Sequence, residues 1–274
     1  MKRVLILCLL VFPILLVSQR RPKIKGNRSV TEVSEQLPPF NAIELVDDLD
    51  IELKKSFGEG YEITADDNLV DVLKFEVLDS TLVISSFYDI ISKKKLEVAI
   101  NVKELKAITV KAGRIFGNEM IESDELYINT FGNAKLDIDA SGYLANVNAE
   151  DNSSIDLNLD VDSLNISMQH KTDAIIYALS GSKKVELANN ASLTLEGTTE
   201  SLQVSMGANA KLRADKLEAA EVDLSNSETG FARINAYRNF NLKSSGSSKT
   251  HLYGNPKITI EEFLDTSQLI KKEE

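Results

Sequence analysis

From Leu126 to Gly254 apolar and polar residues alternate in short runs, and the runs recur with a step of about 19 residues. The recurring unit is a small residue, a spacer and an aliphatic residue: Ala134/Leu136, Ser153/Ile155, Ala174/Ile176, Ala191/Leu193, Ala210/Leu212, Ala232/Ile234 and Thr250/Leu252. Successive units stand 19, 21, 17, 19, 22 and 18 residues apart. Alternation with period two marks a half-buried strand. A step that varies around one mean, with no helical pattern inside it, points to stacked β coils.

Each step holds two alternating runs. Leu126-Ile128, Ala145-Val147-Ala149, Leu164-Ile166-Met168, Val185-Leu187, Leu202-Val204-Met206, Ala220-Val222-Leu224 and Phe240-Leu242 form the first set; the small/aliphatic units open the second. Between runs sit Gly132-Asn133, Asp151-Asn152, Asn189-Asn190, Gly207-Ala208-Asn209, Asn226-Ser227 and Gly246-Ser247. These residue types tolerate left-handed backbone and bond to their own turns. One coil cannot bury its inward residues alone, whereas stacked coils pair each strand with its equivalent above and below. The pattern predicts an all-β chain, a single-stranded right-handed parallel β-helix of about seven coils with N-terminal strands and one short helix. An antiparallel sandwich is the competing architecture; the repeated order of two runs per step favours the solenoid.

Residues 40–100 read as short strands. Phe40, Ile43 and Leu45 open the first; Leu49, Ile51 and Leu53 alternate with Asp50, Glu52 and Lys54; Tyr61 and Ile63 follow Gly58-Glu59-Gly60. Asp66-Asp67-Asn68 before LVDVLKF is a helix-start signal, which predicts a short helix near residues 67–74. Phe75/Val77 and Leu82/Ile84 predict a hairpin around Leu78-Asp79-Ser80-Thr81, and Lys93-Lys94-Lys95 a solvated turn. A solenoid end is an open sheet edge that needs covering, and these N-terminal elements can cover one end. At the other, Gly254-Asn255-Pro256 predicts a turn before Lys257-Ile258-Thr259-Ile260, and the charged tail 261–274 is expected to fray beyond Phe263.

The chain opens with Met1-Lys2-Arg3 and the apolar run VLILCLLVFPILLV at 4–17. A basic start and a 14-residue apolar segment, short for a bilayer span, predict a signal peptide over 1–18 and export to the periplasm or cell surface. Leu16 is large for the position three before a cut after Ser18, so an uncleaved anchor is the alternative, and the only membrane contact expected. Residues 19–38 read as a poorly ordered basic linker. The sole cysteine, Cys8, lies within the apolar run, which leaves the exported chain no thiol for a disulfide, a cysteine-ligated metal or a cysteine nucleophile. The net charge of −11 and the lack of a basic stripe argue against nucleic acid and against anionic lipid.

The opening FNAIELVDDLDIELKKSFGEGYEITADDNLVDVLKFEVLDSTLVIS, coils of the LQVSMGANAKLRAD type and the closing HLYGNPKITI resemble the head GIN domain family, DUF2807, putative auto-transporter adhesins frequent in exported proteins of Bacteroidota. The resemblance covers residues 39–260. Phe40 and Ile43 stand at the family's opening, the acidic start of DDNLVDVLKFEV at its short helix and strand, and Gly254-Asn255-Pro256 at its terminal turn. The family's serine-glycine pairs survive mainly at Ser141-Gly142, Ser180-Gly181 and Ser245-Gly246. The resemblance implies a β-helical fold and surface or periplasmic placement, and it brings no catalytic residues.

Carboxylates are the main candidate chemistry. Asp137/Asp139, Asp156/Asp160 and Asp223 can stack on one face, and like charges at strand spacing raise one another's pKa. A polysaccharide lyase or hydrolase would need such groups in a groove, with Lys or Arg beside them. The sequence shows no accompanying Arg or Lys ladder and only short loops, so a hydrated acidic face is the simpler reading. DIDASG and EDNSSIDLNLDVDS are rich in oxygen, yet neither has calcium-loop spacing. His170 is expected at an exposed turn and His251 pointing outward; two histidines supply no partner for a serine nucleophile. Tyr127, Tyr143, Tyr177, Tyr237 and Tyr253 recur near corners, where they pack or stack on sugars. Asn27, Asn152, Asn165 and Asn190 head Asn-x-Ser/Thr triplets and read as turn and strand residues. No catalytic, cofactor or metal residue is assigned. The leading expectation is a non-enzymatic exported β-helix, adhesin-like or an envelope scaffold, with a cell-surface glycan or envelope protein as partner. The alternatives are a carbohydrate-active β-helix enzyme and an end-to-end polymerising cytoskeletal β-helix, which the export segment disfavours.

Overall fold

The computed structural model describes residues 21–273. The expected signal peptide at 1–18 lies outside them, and among the described residues no helix is long and apolar enough to cross a membrane. The chain is a parallel β-solenoid of about nine turns, two more than the sequence pattern predicts. Its N-terminal part contains β1 (Lys23–Lys25), β2 (Val30–Gln36), β3 (Ala42–Leu45), β4 (Asp50–Lys55), β5 (Gly60–Asp66), one helical turn (Asp67–Val70), β6 (Leu73–Leu78), β7 (Thr81–Ser86), β8 (Asp89–Ser92) and β9 (Leu96–Val102). Then come β10 (Ala107–Val110), β11 (Arg114–Phe116), β12 (Ile121–Glu122) and β13 (Glu125–Thr130). The regular coils are β14 (Lys135–Ala149), β15 (Ser154–Met168), β16 (Asp173–Leu187), β17 (Ser192–Met206), β18 (Lys211–Asn226) and β19 (Phe231–Ser244), closed by β20 (Lys249–Tyr253), β21 (Lys257–Phe263) and β22 (Gln268–Lys271).

Each regular coil is one long strand and a four-residue turn. The strand is bent in its middle, so the two expected runs are its two arms. In β14 the inward residues are Leu136, Ile138 and Ala140 on the first arm and Ala145, Val147 and Ala149 on the second. The interval of five between Ala140 and Ala145 breaks the alternation, and Ser141-Gly142 lies at that corner. A Cβ on Gly142 would stand 1.7 Å from the Ser123 carbonyl oxygen, so only glycine fits where the coils approach.

The turn has one rule. Its second residue is left-handed in every coil: Gly132, Asp151, His170, Asn189, Ala208, Glu228, Gly246 and Asp265, in steps of 19, 19, 19, 19, 20, 18 and 19 residues. Its third N–H donates to the carbonyl of the left-handed residue one coil earlier, as in Asn152 to Gly132, Lys171 to Asp151, Asn190 to His170 and Asn209 to Asn189. Its fourth residue is small and buried: Ala134, Ser153, Thr172, Ala191, Ala210, Gly230, Ser248 and Ser267. Three repeat units are therefore corrected. Ala174, Ala232 and Thr250 lie two residues beyond the turn and pair with Ile155, Leu212 and Ala232 in the aliphatic column. A two-residue slip keeps every side chain on its own face, so alternation cannot reveal it.

The interior consists of such columns. On the second arm Ile43, Ile108, Ile128, Val147, Ile166, Val185, Val204, Leu224, Leu242 and Ile260 pair in register from coil to coil. On the first arm the column is Ile51, Ile115, Leu136, Ile155, Ala174, Leu193, Leu212, Ala232, Thr250 and Leu269. Leu136, Ile155, Leu193 and Leu212 thus align, as the solenoid requires and a sandwich of hairpins would not. Outside, asparagines repeat the ladder: Asn152 donates to Asn133 at 3.1 Å, Asn165 to Asn146 at 2.9 Å and Asn209 to Asn190 at 3.2 Å.

Antiparallel strands close the N-terminal end. β5 lies antiparallel between β2 and β9, and the expected hairpin β6–β7 turns on Asp79-Ser80, both left-handed. The helix predicted at 67–74 shrinks to one turn that buries Leu69, because Leu73 already starts β6. No side-chain cap forms there; Asp66 instead accepts the Lys94 N–H at 2.9 Å. Residues 19–38, read as a linker, carry β1 and β2 in their described part, and β2 pairs along β5. At the other end β22 pairs with β20, so the chain beyond Phe263 adds a last rung where fraying was expected. β21 has no following coil, which exposes Ile258 and Ile260; Lys257, Glu261 and Glu262 charge that edge, a device against further strand pairing.

Two substitutions test the turn and the columns. Ile166→Ala, buried between Val147 and Val185, is expected to cost about 2–5 kcal/mol in denaturant unfolding. Ala208→Gly removes the strain of a left-handed alanine and is expected to stabilise by up to about 1 kcal/mol.

Candidate functional site

The outward residues of the first arms form one flat face. Strand pairing aligns Glu52, Phe116, Asp137, Asp156, Ile175, Thr194, Arg213, Arg233 and His251 in a single outward column. Asp137, Asp139, Asp156 and Asp160 share this face, as their spacing predicts, whereas Asp223 lies on the second arm. Partial burial, then the charges of Asp137 and Asp139, push the Asp156 carboxyl above the ordinary aspartate range. Asp137 is bridged to Arg114 at 2.8 Å. Three coils beyond Asp156 the same column turns basic: Arg213 pairs with Arg233, which precedes His251. That grouping is hidden in the sequence because it needs the coil register. Burial, then Lys272, Lys249 and Arg233, hold the His251 pKa below the ordinary histidine value, and its ring meets Phe231 edge-on at 5.1 Å.

A second feature is a cleft of about 1140 Å³ at the mid-coil corner of the first turns, where β12 is only two residues long and the segments around it leave the ladder. Phe57 and Tyr127 line it with Lys55, Lys103, Lys106, Glu119, Glu122 and Glu125 among others. Phe57 is fully exposed at 104%. It lies in a polar turn outside any alternation, and that misplacement is the sequence signal that could have singled it out. Three of the five carboxylates that line the cleft are engaged: Glu119 accepts the Lys55 N–H at 2.7 Å, Glu122 pairs with the Lys55 ammonium at 2.9 Å, and Glu125 accepts the Tyr127 hydroxyl at 3.2 Å. The Glu125 charge raises the Tyr127 pKa. A shallower hollow of about 450 Å³ lies on the second-arm face between Lys184, Asp223 and Lys243.

The other candidates are dispersed. Tyr143 and Tyr237 are exposed, Tyr177 and Tyr253 belong to the first-arm face, and only Tyr127 enters the cleft. His170 is a left-handed turn residue, half-exposed, whose Nδ1 accepts the Asp151 N–H at 3.4 Å. Asn152, Asn165 and Asn190 belong to the asparagine ladders. Among the described residues no group of three or more His, Cys, Asp or Glu converges on a metal-sized point.

Lys183 stands at an inward position of the alternation, two residues before Val185, where its residue type gives no reason to expect it. It is 2% exposed and occupies an inward position between Leu164 and Leu202. Its ammonium donates to the Ala178 carbonyl at 3.0 Å, the Ser180 hydroxyl at 2.8 Å and the Thr198 carbonyl at 2.7 Å, all at the mid-coil corner. Burial lowers its pKa from 10.5 to about 8. The unfolded chain therefore binds more protons between these values, and stability rises with pH across that window. Wild type is expected to gain on Lys183→Met by on the order of 3 kcal/mol from pH 8 to pH 10.5 in denaturant unfolding. A constant difference would show that this amine is not held neutral.

The model of DUF2807, described as "Putative auto-transporter adhesin, head GIN domain", matches residues 39–180 and 143–256. No curated protein matches the chain. Among solved structures, a "putative adhesin" from Parabacteroides merdae aligns with TM-score 0.70 at 18% identity, covering 92% of this chain and 99% of that one. A "putative adhesin" from Parabacteroides distasonis aligns with TM-score 0.70 at 17% identity, covering 91% and 100%. A "putative lipid binding protein" from Parabacteroides distasonis aligns with TM-score 0.61 at 19% identity, covering 91% and 99%. At these identities the likeness is one of fold.

Proposed function

Because the chain belongs to the head GIN domain family (DUF2807), we propose that it is an exported, non-enzymatic, adhesin-like module that binds a cell-surface glycan at the Phe57–Tyr127 cleft. The cleft carries this reading. It is the larger of the hollows described above, and it sets two exposed aromatic rings among charged and hydroxyl groups. Aromatic rings beside hydrogen-bonding groups can stack on a sugar ring while the polar groups bond its hydroxyls.

Glycoside chemistry would need a carboxyl pair free to act as acid and base on one bond. Glu119, Glu122 and Glu125 each already hold a partner, which leaves Glu104 and Asp124 as the other lining carboxylates and favours binding over turnover. Placement in the periplasm or at the cell surface agrees with the family's adhesin description and with the apolar start of the chain. The rows of asparagine and serine outside the coils suit a hydrated, rigid support for the cleft.

The test is a glycan array followed by calorimetry on wild type, Phe57→Ala and Tyr127→Ala. Each substitution is expected to weaken binding about tenfold, or ~1.4 kcal/mol. Neither should change the melting temperature, since exposed positions contribute little to stability. Binding that both variants leave intact, or no glycan bound at all, would overturn the proposal; capture by lipid vesicles alone would replace the glycan with a membrane.

A further inference from the structure

β16 departs from the rule that outward residues are polar. Apart from Asp173, which opens the strand, its outward first-arm residues are apolar, and Ile175, Tyr177 and Leu179 are 53%, 46% and 37% exposed. They form an apolar rung across the middle of a flat sheet face. The coils before this rung are predominantly acidic on the same face, with Glu52, Asp137 and Asp156; those after it carry Arg213, Arg233 and Lys249, beside Glu196 and His251.

We propose that this face is a self-association surface, on which a second copy of the chain docks face to face and antiparallel about a two-fold axis running along β16. An axis along the strands reverses the order of coils and keeps each outward column on itself. In the Ile175 column it places Ile175 on its own copy, Asp137 opposite Arg213, Phe116 opposite Arg233 and Glu52 opposite His251. In the neighbouring column it places Asp50 opposite Lys249 and Arg114 opposite the Phe231 ring, and it sets Asp173, which opens β16, on its own copy. Acid thus meets base and guanidinium meets aromatic face, both favourable arrangements. The other in-plane axis, along the solenoid, would set acid on acid and base on base. Lys135 and Lys211 also come opposite one another, but they start their strands, and such long side chains turn their ends to water.

The size agrees. Six residues per arm and nine coils give a face about 20 Å by about 40 Å, roughly 800 Å² per partner, which is the usual area of a specific interface. Two sheets packed this way keep their strands nearly aligned, as face-to-face sheets prefer. In the Ile175 column Asp156 comes opposite Thr194, one rung from the copy's Arg213. The net charge of −11 opposes random association, so this face is distinguished by its balance of sign.

Sedimentation equilibrium on the purified protein tests the inference. A dimer is expected, weakened when salt is raised from about 0.05 M to about 1 M, where the screening length falls to about 3 Å. Ile175→Glu, on the axis, should raise the dimer dissociation constant at least tenfold. Arg213→Asp and Asp137→Arg should each do so about tenfold, and the double variant Asp137→Arg/Arg213→Asp should recover most of the loss, because each new aspartate again faces an arginine. All positions are exposed, and circular dichroism confirms that the variants fold. A monomer at every concentration overturns the proposal. So does a dimer indifferent to Ile175→Glu and to charge reversal, which would place the contact elsewhere, such as the open edge of β21. The outcome is independent of glycan binding, since the cleft lies off this face.

Discussion

Every coil depends on the backbone ladder to its neighbours. The decisive contact is at the turn, where the third N–H reaches the carbonyl of the left-handed residue one coil before. That bond sets the vertical alignment of one coil on the next, and the aliphatic columns follow from it. It is indifferent to side chain: glycine, aspartate, histidine, asparagine, alanine and glutamate all take the left-handed position. The cost of that conformation for a residue such as Ala208 or Glu228 is of order 1 kcal/mol. It is tolerated because the ladder on both sides leaves the chain no other path.

This explains what the sequence could and could not show. Alternation identified the arms and the solenoid, because inward and outward positions differ in every coil. It could not locate the turn to better than two residues, since a shift of two conserves the faces. Ala174, Ala232 and Thr250 were misplaced for that reason, and the step looked irregular where it is nearly constant. The first turns escaped notice because β10 and β11 are short and separated from their successors by segments outside the ladder. Lys183 escaped because a lysine reads as outward unless three oxygens at the corner are known to receive it.

The candidate sites show the same division. Asp137 and Asp156 could be placed on one face from spacing alone, but Arg213 and Arg233 join that face only through register across several coils. The cleft depends on where the regular pattern fails, around β12, and such departures carry no periodic signal. The regular part of the molecule was therefore readable and its chemistry much less so. Chemistry on a solenoid arises between rungs, at separations the linear chain does not display.

One detail of β18 bears on how such a molecule changes length. Its strand is one residue longer than β17 and two longer than β19, and the surplus is expelled near Ala214–Leu217 while the pairing resumes on both sides. A whole coil inserted or deleted should leave the hydrogen bonding unbroken and alter the molecule's reach by one rung, about 4.8 Å. Stray single residues collect as corner bulges. Relatives of differing length are thus expected to differ by whole modules, with evolutionary tinkering confined to the bends.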